Sequence, residues 1–201
     1  SGVVFVRDDL DPPMRISAVV SNRIEMPLRT TLADGGVTVE MVEHVLAAVS
    51  GLQIDNCEIH VNGPELPGCD GSSLAFVDAL KAGGTVLQGA MRPQLVVTDP
   101  TRVGSDDVWV EALPSTFPGL SLKGHIDYGR DSAIGRQTLE LNITPDVFSR
   151  ELASARTFIM RDEAEWLMGQ GLGQRTTPQD LLVFDDMGPI ENDLRFPNEC
   201  V

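Results

Sequence analysis

The stretch VEMVEHVLAAVSG, residues 39–51, has apolar side chains at helical spacing and ends on a glycine. At about 100° per residue, one side of this predicted helix collects four apolar residues: Val42, Val45, Leu46 and Val49. The opposite side holds Glu40 and the adjacent Glu43 and His44, together with residues too small to cover a surface: Ala47, Ala48 and Gly51. Because a solvated helix face normally carries long charged side chains, we expect this helix to lie against other parts of the molecule on both sides.

Two strand-like stretches and a second helix surround this first helix. The segments GVVFVR and IDNCEIHV have the composition of strands, and the second alternates apolar and polar residues from Cys57 to Asn62. The glycine- and proline-rich loop GPELPGCDGSS follows, in which Asp70 or Ser72 is suited to cap the next predicted helix, LAFVDALKAGG. The first part of the chain is therefore predicted as strand, helix, strand, loop and helix.

A second group of elements begins after a polar stretch that reaches Pro93. The predicted strands are QLVVTDP, VWVEAL and LSLKGHIDY, and the predicted helices are TPDVFSRELASA, which opens on Thr144-Pro145, and DEAEWLMGQGL. Strands that come in runs, rather than in strict alternation with helices, favour an α+β fold over a doubly wound parallel sheet. We predict two domains, residues 1–90 and residues 91–201. The segment GLGQRT lacks the lysine and the preceding strand of a phosphate-binding loop.

Composition excludes several classes of function. With 30 acidic and 15 basic residues the net charge is −15, and no Lys/Arg-rich run with interleaved aromatics occurs, so nucleic-acid binding is not expected. No apolar run approaches the roughly 20 residues of a membrane-spanning helix. The first residues show no basic segment followed by an apolar stretch and a cleavage site, so secretion is not expected. Cys57, Cys69 and Cys200 form no CxxC pair, which is typical of a reducing compartment, and we expect a cytoplasmic protein.

The Glu43-His44 pair is the candidate for chemistry that spacing singles out. A Glu and a His enclosed by packing suit metal binding or acid–base catalysis. An adjacent Glu-His pair on a helix is nonetheless more often solvated or structural, and a catalytic zinc generally takes three protein ligands. His60 and His125 are expected to face solvent from their strands. From the residues alone, a hydrolase and a binding module both remain open.

Other polar clusters have simpler structural interpretations. In ELASARTF, a capping or turn role is expected for Arg156 and Thr157, in preference to an active-site hydroxyl. DGSS is most simply a helix cap, and the Asp185-Asp186 pair is most simply a polar turn, since neither has the spacing of a metal-binding loop.

The run TVEMVEHVLAAVSGLQIDNCEIHVNGPELPGCDGSSLAFVDAL resembles the UDP-3-O-acyl-N-acetylglucosamine deacetylases, the zinc amidases that commit bacteria to lipid A and hence lipopolysaccharide synthesis. GVVFVR resembles the family's early strand, IGRQTLEL its mid-chain strand, and SARTF and LRFPNECV two motifs of its second domain. These long motifs occur in the family's order and cover nearly the whole chain. Their length and order make the resemblance specific.

The resemblance implies a two-domain α+β fold, in which each domain is a mixed sheet layered against helices, as in the second domain of ribosomal protein S5. It implies that Glu43 is the general base and His44 a zinc ligand, while Thr157 stabilises the tetrahedral oxyanion and Phe158 lines the substrate passage. The implied reaction is hydrolysis of the N-acetyl group of a UDP-3-O-(3-hydroxyacyl)-N-acetylglucosamine, with zinc lowering the pKa of its bound water to about 7. The small residues beside Glu43 and His44 would leave room for the metal and the acetyl group.

In that family, the segment after NECV supplies two further zinc ligands, a His and an Asp, and later a His that acts as general acid. The family's first strands also precede the position of Gly2. Since the 201 residues hold one of the three zinc ligands, we expect this chain alone to bind zinc weakly or not at all and to lack deacetylase activity. A separate piece carrying the missing segment would rebuild the site in trans. The alternative is a non-catalytic binding module that retains the fold, and a purely structural partner has the least support.

Overall fold

The structure, a computed structural model, describes residues 2–92, 94–115, 118–171, 177 and 180–201. The elements of the N-terminal half, residues 2–92, are β1 (Val3–Arg7), β2 (Met14–Ser17), β3 (Arg23–Ile24), β4 (Thr31–Asp34), β5 (Val37–Glu40), α1 (Glu43–Gly51), β6 (Cys57–Val61) and α2 (Leu74–Gly83). Those of the C-terminal half, residues 94–201, are β7 (Thr101–Gly104), β8 (Trp109–Ala112), β9 (Leu120–Asp127), β10 (Arg136–Ile143), α3 (Pro145–Val147), β11 (Phe158–Met160), α4 (Arg161–Gly169), β12 (Leu182–Asp185) and β13 (Gly188–Pro189). A 3-10 turn, Val20–Asn22, precedes β3, and a π-helical turn, Phe148–Leu152, continues α3.

The N-terminal half is built on two small sheets with a shared core. In one sheet, β1 lies between β2, which is antiparallel to it, and β6, which is parallel to it. In the other sheet, β4 lies between the antiparallel strands β3 and β5. Strands of both sheets, α1 with its N-cap Val42, and the loop after β6 contribute the buried side chains of one apolar cluster: Phe5, Ile16, Leu32, Val39, Val42, Val45 and Leu66.

The C-terminal half has more strand surface open to solvent. The antiparallel pairs β7–β8 and β9–β10 are separate two-stranded sheets, and every residue of β7 and β8 is exposed. A third, mixed sheet has the order β11-β12-β13, with β11 and β12 parallel. Its apolar cluster contains four buried residues: Ile134, Leu182, Phe184 and Cys200.

The predicted α+β fold is confirmed, because small sheets pack against helices and each half contains a mixed sheet. Within the described ranges, every helix is too short or too polar to span a lipid bilayer. The domain boundary at residues 90 and 91 stays a prediction. The predicted capping of α2 is observed only in part: Ser72 Oγ accepts a hydrogen bond from Leu74 N, the first N–H of the helix, whereas the N-cap position is Ser73, whose side chain makes no capping hydrogen bond. Asp70 Oδ1 accepts a hydrogen bond from Ser72 N, which lies before the helix.

Two predicted elements are wrong in extent or kind. The helix predicted over residues 39–51 begins only at Glu43, because Val37–Glu40 are paired with β4 and the β-branched residues there favour a strand. Met41, with φ +57°, turns the chain between the strand and the helix. The strand predicted for QLVVTDP does not form, since residues 94–100 pair with no strand in the described part of the chain and are largely exposed. The segment GLGQRT lies mostly outside the described residues.

The two halves pack directly against each other along the small-residue side of α1. Five residues form this contact, which we call the apolar seam: Ala48, Gly51, Val77, Phe148 and Ala153. A Cβ added at Gly51 would lie 2.2 Å from Phe148 Cγ, so only a glycine admits the ring at this distance. The expectation that α1 packs on both sides is thus confirmed. The expected room for a metal and an acetyl group is not found beside Ala48 and Gly51, because Phe148 fills that space.

Candidate functional site

Glu43 stands at the first position of α1 and is half-buried. Its Oε2 accepts a hydrogen bond from the backbone N–H of Thr30 at 3.0 Å, and Val42 N donates to Thr30 O at 3.3 Å. The start of α1 is therefore tied to the segment before β4. A helix N-terminus favours a negative charge, and the Thr30 N–H fixes one carboxylate oxygen. The other oxygen, Oε1, makes no hydrogen bond to the described residues.

His44 follows on the same turn of α1 and is also half-buried. It makes no hydrogen bond or ion pair with any residue that the structure describes. The described residues contain no group of three His, Cys, Asp or Glu side chains that could hold a metal ion. Because a catalytic zinc generally takes three protein ligands, His44 is one candidate ligand and the described residues do not by themselves form a complete zinc site.

The other two histidines have surface partners, and their predicted solvent exposure is confirmed. His60 Nδ1 lies 2.8 Å from Asp8 Oδ2, and His125 Nδ1 lies 2.7 Å from Thr138 Oγ1. Both rings are exposed on their strands. Neither ring therefore adds a ligand to His44.

Thr157 and Phe158 stand at the start of β11. Thr157 N donates to Gly71 O at 2.8 Å and Thr157 O accepts from Leu182 N at 3.0 Å, so the backbone is held from two sides while the side chain is exposed. Its hydroxyl makes no hydrogen bond to the described residues, and the predicted capping role is therefore not observed. Phe158 is half-buried and packs edge-on against Tyr128 and Phe184, with ring centroids 5.7 and 5.9 Å apart.

A four-residue turn, Gly68–Gly71, connects these two pairs of residues. Gly71 N donates to Gly68 O at 2.9 Å, which places the ends of the turn within about 7 Å of each other. At one end, a Cβ on Gly68 would lie 3.2 Å from Met41 Cε, two residues before Glu43. At the other end, Gly71 O accepts the hydrogen bond from Thr157 N. Met41, which precedes α1, and Thr157, at the start of β11, thus contact opposite ends of one turn.

A buried ion pair lies directly behind Thr157. The side chains of Arg156 and Glu199 are 4% and 0% exposed, and Arg156 Nε lies 2.7 Å from Glu199 Oε1. Glu199 also accepts hydrogen bonds from the backbone N–H groups of Arg156 and Arg195, at 3.2 and 2.7 Å. Burial alone would raise the pKa of Glu199, but these hydrogen bonds outweigh it and hold the pKa below the ordinary value. Burial raises the pKa of the adjacent Cys200 to about 11.

A second ion pair joins the two halves. Arg195 Nη2 donates to Asp70 Oδ2 at 2.6 Å, and Arg195 Nη1 donates to Ser154 O at 2.8 Å. Asp70 Oδ1 accepts from Ser72, which fixes the other carboxylate oxygen. Burial acts to raise the pKa of Asp70, but hydrogen bonds from Ser72 and Arg195 lower it below the ordinary value.

Neither of these two ion pairs follows from the sequence pattern. Arg156 and Glu199 lie within the quoted motifs SARTF and LRFPNECV, but no periodicity relates two charges that are 43 residues apart. Asp70 was identified only as a cap, and Arg195 was not identified. No local signal marks the buried pair, because an exposed residue, Thr157 or Asn198, stands next to each charge.

The whole chain, residues 1–201, matches the model of the family described as LpxC: UDP-3-O-acyl N-acetylglycosamine deacetylase. A relative named UDP-3-O-acyl-N-acetylglucosamine deacetylase from Oleidesulfovibrio alaskensis is 35% identical over 202 residues, which cover 100% of the chain and 65% of the relative. Relatives of the same name from Geotalea uraniireducens and Thermosynechococcus vestitus are 33% and 37% identical, over 100% of the chain and 65% and 69% of their own length. The chain thus spans 65% to 69% of the length of these relatives.

Proposed function

Because the chain belongs to the UDP-3-O-acyl N-acetylglycosamine deacetylase family, we propose that it forms part of an enzyme that hydrolyses the N-acetyl group of a UDP-3-O-acyl-N-acetylglucosamine in lipid A synthesis. The family resemblance drawn from the motifs is confirmed by the match over residues 1–201. The substrate, the reaction and the roles of individual residues in this chain are our proposal. We also propose a cytoplasmic location, which the free state of all three cysteines supports.

One observation supports the assignment of the catalytic residues: Met41, two residues before Glu43, and Thr157 contact opposite ends of the same turn, Gly68–Gly71. Hydrolysis of an unactivated amide needs a base that takes a proton from water and a donor that stabilises the oxyanion. Glu43 is held through Oε2 by Thr30 and takes the proton on Oε1. Thr157 has an exposed hydroxyl that donates to the oxyanion. Phe158 borders the substrate through its exposed edge.

We assign His44 the role of one zinc ligand on the basis of its place in the VEH motif. Its imidazole has no other partner among the described residues, which is compatible with a ligand role. Because the described residues offer no group of three ligands, we expect the 201 residues alone to bind zinc weakly and to release no acetate. Zinc titration of the isolated chain with an acetate assay checks this, and tight stoichiometric zinc with turnover would contradict it.

The catalytic assignment is tested in a protein of the relatives' length that contains these 201 residues. Glu43→Gln keeps the shape of the side chain and removes the base, so acetate release should fall roughly 10²- to 10⁴-fold. The exposed Glu165 on α4 offers a matched control, Glu165→Gln, which should leave the rate unchanged. An unchanged rate in Glu43→Gln would show that Glu43 is not the base. Substrate binding without any turnover in the unmodified protein would favour the alternative of a non-catalytic binding module.

A further inference from the structure

Asp70, Gly71, Arg156, Thr157, Arg195 and Glu199 form a closed circuit of contacts, which we call the polar ring. Asp70 binds Arg195, the N–H of Arg195 binds Glu199, and Glu199 binds Arg156. Arg156 is bonded covalently to Thr157, whose N–H binds Gly71, the neighbour of Asp70. Each link is a hydrogen bond or a peptide bond, so the position of Thr157 is coupled to that of Asp70 by two separate routes.

The Gly68–Gly71 turn is held tightly within this ring. Gly71 has φ +77°, and a Cβ there would lie 2.3 Å from Asp180 O, so the backbone of the C-terminal half packs directly on the turn. The turn cannot move far from Thr157 without losing both this contact and the hydrogen bond from Thr157 N. Its other end touches Met41, which leads into Glu43.

Arg195 couples the position of Asp70 to the C-terminal half, because it is held at several points there. Its backbone is fixed by Glu199, a buried carboxylate, and its guanidinium is held on one side by Ser154 O. Arg195 Nη2 therefore binds Asp70 with little further loss of conformational freedom, although the side chains of the pair are about one-third exposed. An Arg held at three points can fix an orientation that an isolated surface ion pair does not.

We infer that Asp70 and Arg195 are positioning residues, which hold the Gly68–Gly71 turn so that Thr157 keeps a fixed position relative to Glu43. The catalytic part of this inference rests on the proposed function. The hydrogen-bond partners of both side chains lie outside the proposed reacting groups. The Asp70 carboxylate binds Ser72 and Arg195, and the Arg195 guanidinium binds Asp70 and Ser154 O. They act through the turn and through the backbone of Thr157.

The kinetic test uses the protein of the relatives' length with zinc bound. Arg195→Gln should lower kcat for acetate release roughly 10- to 100-fold with little change in KM, because the base and the oxyanion donor lose their alignment. Asp70→Asn, which keeps an acceptor for Ser72, should have the same effect, and Arg195→Lys should recover part of the rate. The control is Arg161→Gln, which removes an Arg161–Asp185 pair of the same length, 2.6 Å, within the C-terminal half. This control should leave kcat unchanged.

A second measurement does not depend on activity. Amide hydrogen exchange by NMR reports the hydrogen bond from Thr157 N to Gly71 O, and protection of this amide should fall at least tenfold in Arg195→Gln while amides of β1 stay protected. If Thr157 protection and kcat are both unchanged in Arg195→Gln, or kcat falls with protection intact, the positioning role is wrong. If protection falls but Glu43→Gln retains full activity, the ring stands as a structural coupling and the proposed function fails.

Discussion

Two contacts between the halves of the molecule, the apolar seam and the polar ring, are of opposite kinds. The apolar seam brings α1 and α2 against Phe148 and Ala153 through apolar side chains, and its closeness depends on the absence of a side chain at Gly51. The polar ring brings Asp70 and Gly71 against the start of β11 by charges and directed hydrogen bonds.

Apolar contact is not directional, so the seam sets how near the halves lie but tolerates small rotations and slides. Hydrogen bonds weaken steeply when their angles change, so the ring sets orientation. Thr157 belongs to the ring, whereas Glu43 lies on the side of α1 that forms the seam and is linked to the ring only through Met41 and the Gly68–Gly71 turn. The directional contact therefore orients Thr157, one of the two groups that the proposed site needs to align.

The largest effect is expected from breaking the ring at its buried carboxylate. Glu199→Ala leaves the Arg156 guanidinium buried and uncompensated, and should lower the free energy of unfolding by about 3–5 kcal/mol. Denaturant unfolding measures the change. Glu165→Ala on the exposed face of α4 should have little effect. A loss for Glu199→Ala as small as that of the control would contradict a stabilising role for the buried Arg156–Glu199 pair.

A smaller effect is expected from breaking the seam. Gly51→Ala places a methyl group within the Phe148 ring and should lower the free energy of unfolding by about 1–3 kcal/mol. Gly83→Ala is the matched control, since Gly83 also lies in a helix and no atom lies within 4 Å of the added Cβ. Combining Gly51→Ala with Phe148→Leu should cost less than the sum of the two changes, as measured by a double-mutant cycle. Strict additivity would refute close packing between the two residues.

The smallest expected effect is on the pH dependence of the unfolding free energy, which should differ between a ring variant and a seam variant. The folded-state pKa of Asp70 is lowered, so its stabilisation is complete above the ordinary carboxyl pKa of about 4 and is lost as the pH falls through the folded value. The difference in unfolding free energy between the wild type and Arg195→Gln should therefore shrink below about pH 4, because protonated Asp70 no longer pairs with Arg195. The difference caused by Gly51→Ala should stay constant. If the difference in unfolding free energy from the wild type were independent of pH for Arg195→Gln as well as for Gly51→Ala, an ionic role for Asp70 would be contradicted.

Periodicity predicted much of the fold where a segment has one buried face. The apolar stripe of α1 is buried at Val42, Val45 and Val49, as expected. The start of that helix was wrong because a short strand, β5, takes the preceding residues, and a pattern of four residues cannot distinguish a strand from a first helical turn. QLVVTDP fails as a strand for the related reason that strand formation depends on a partner strand, which local sequence does not reveal.

The candidate site was predicted unevenly. The position of Glu43 and His44 off the apolar stripe follows from spacing, whereas their proposed roles come from the family resemblance. The expectation that the small residues beside them leave room for a ligand is wrong for Gly51, because its missing side chain lets α1 pack against Phe148, 97 positions away. Arg156 and Glu199 could not be paired from sequence, because complementary charges are too common along the chain to single out one partner.

The Asp70–Arg195 contact also has a consequence for the order of folding. It joins residues 125 positions apart, and closing a flexible loop of that length has an entropic cost on the order of 4 kcal/mol. Hairpins such as β9–β10 close over far fewer residues and form sooner. We therefore expect the strands and helices of each half to form first, and the alignment of Glu43 with Thr157 to be among the last features that the folding chain acquires.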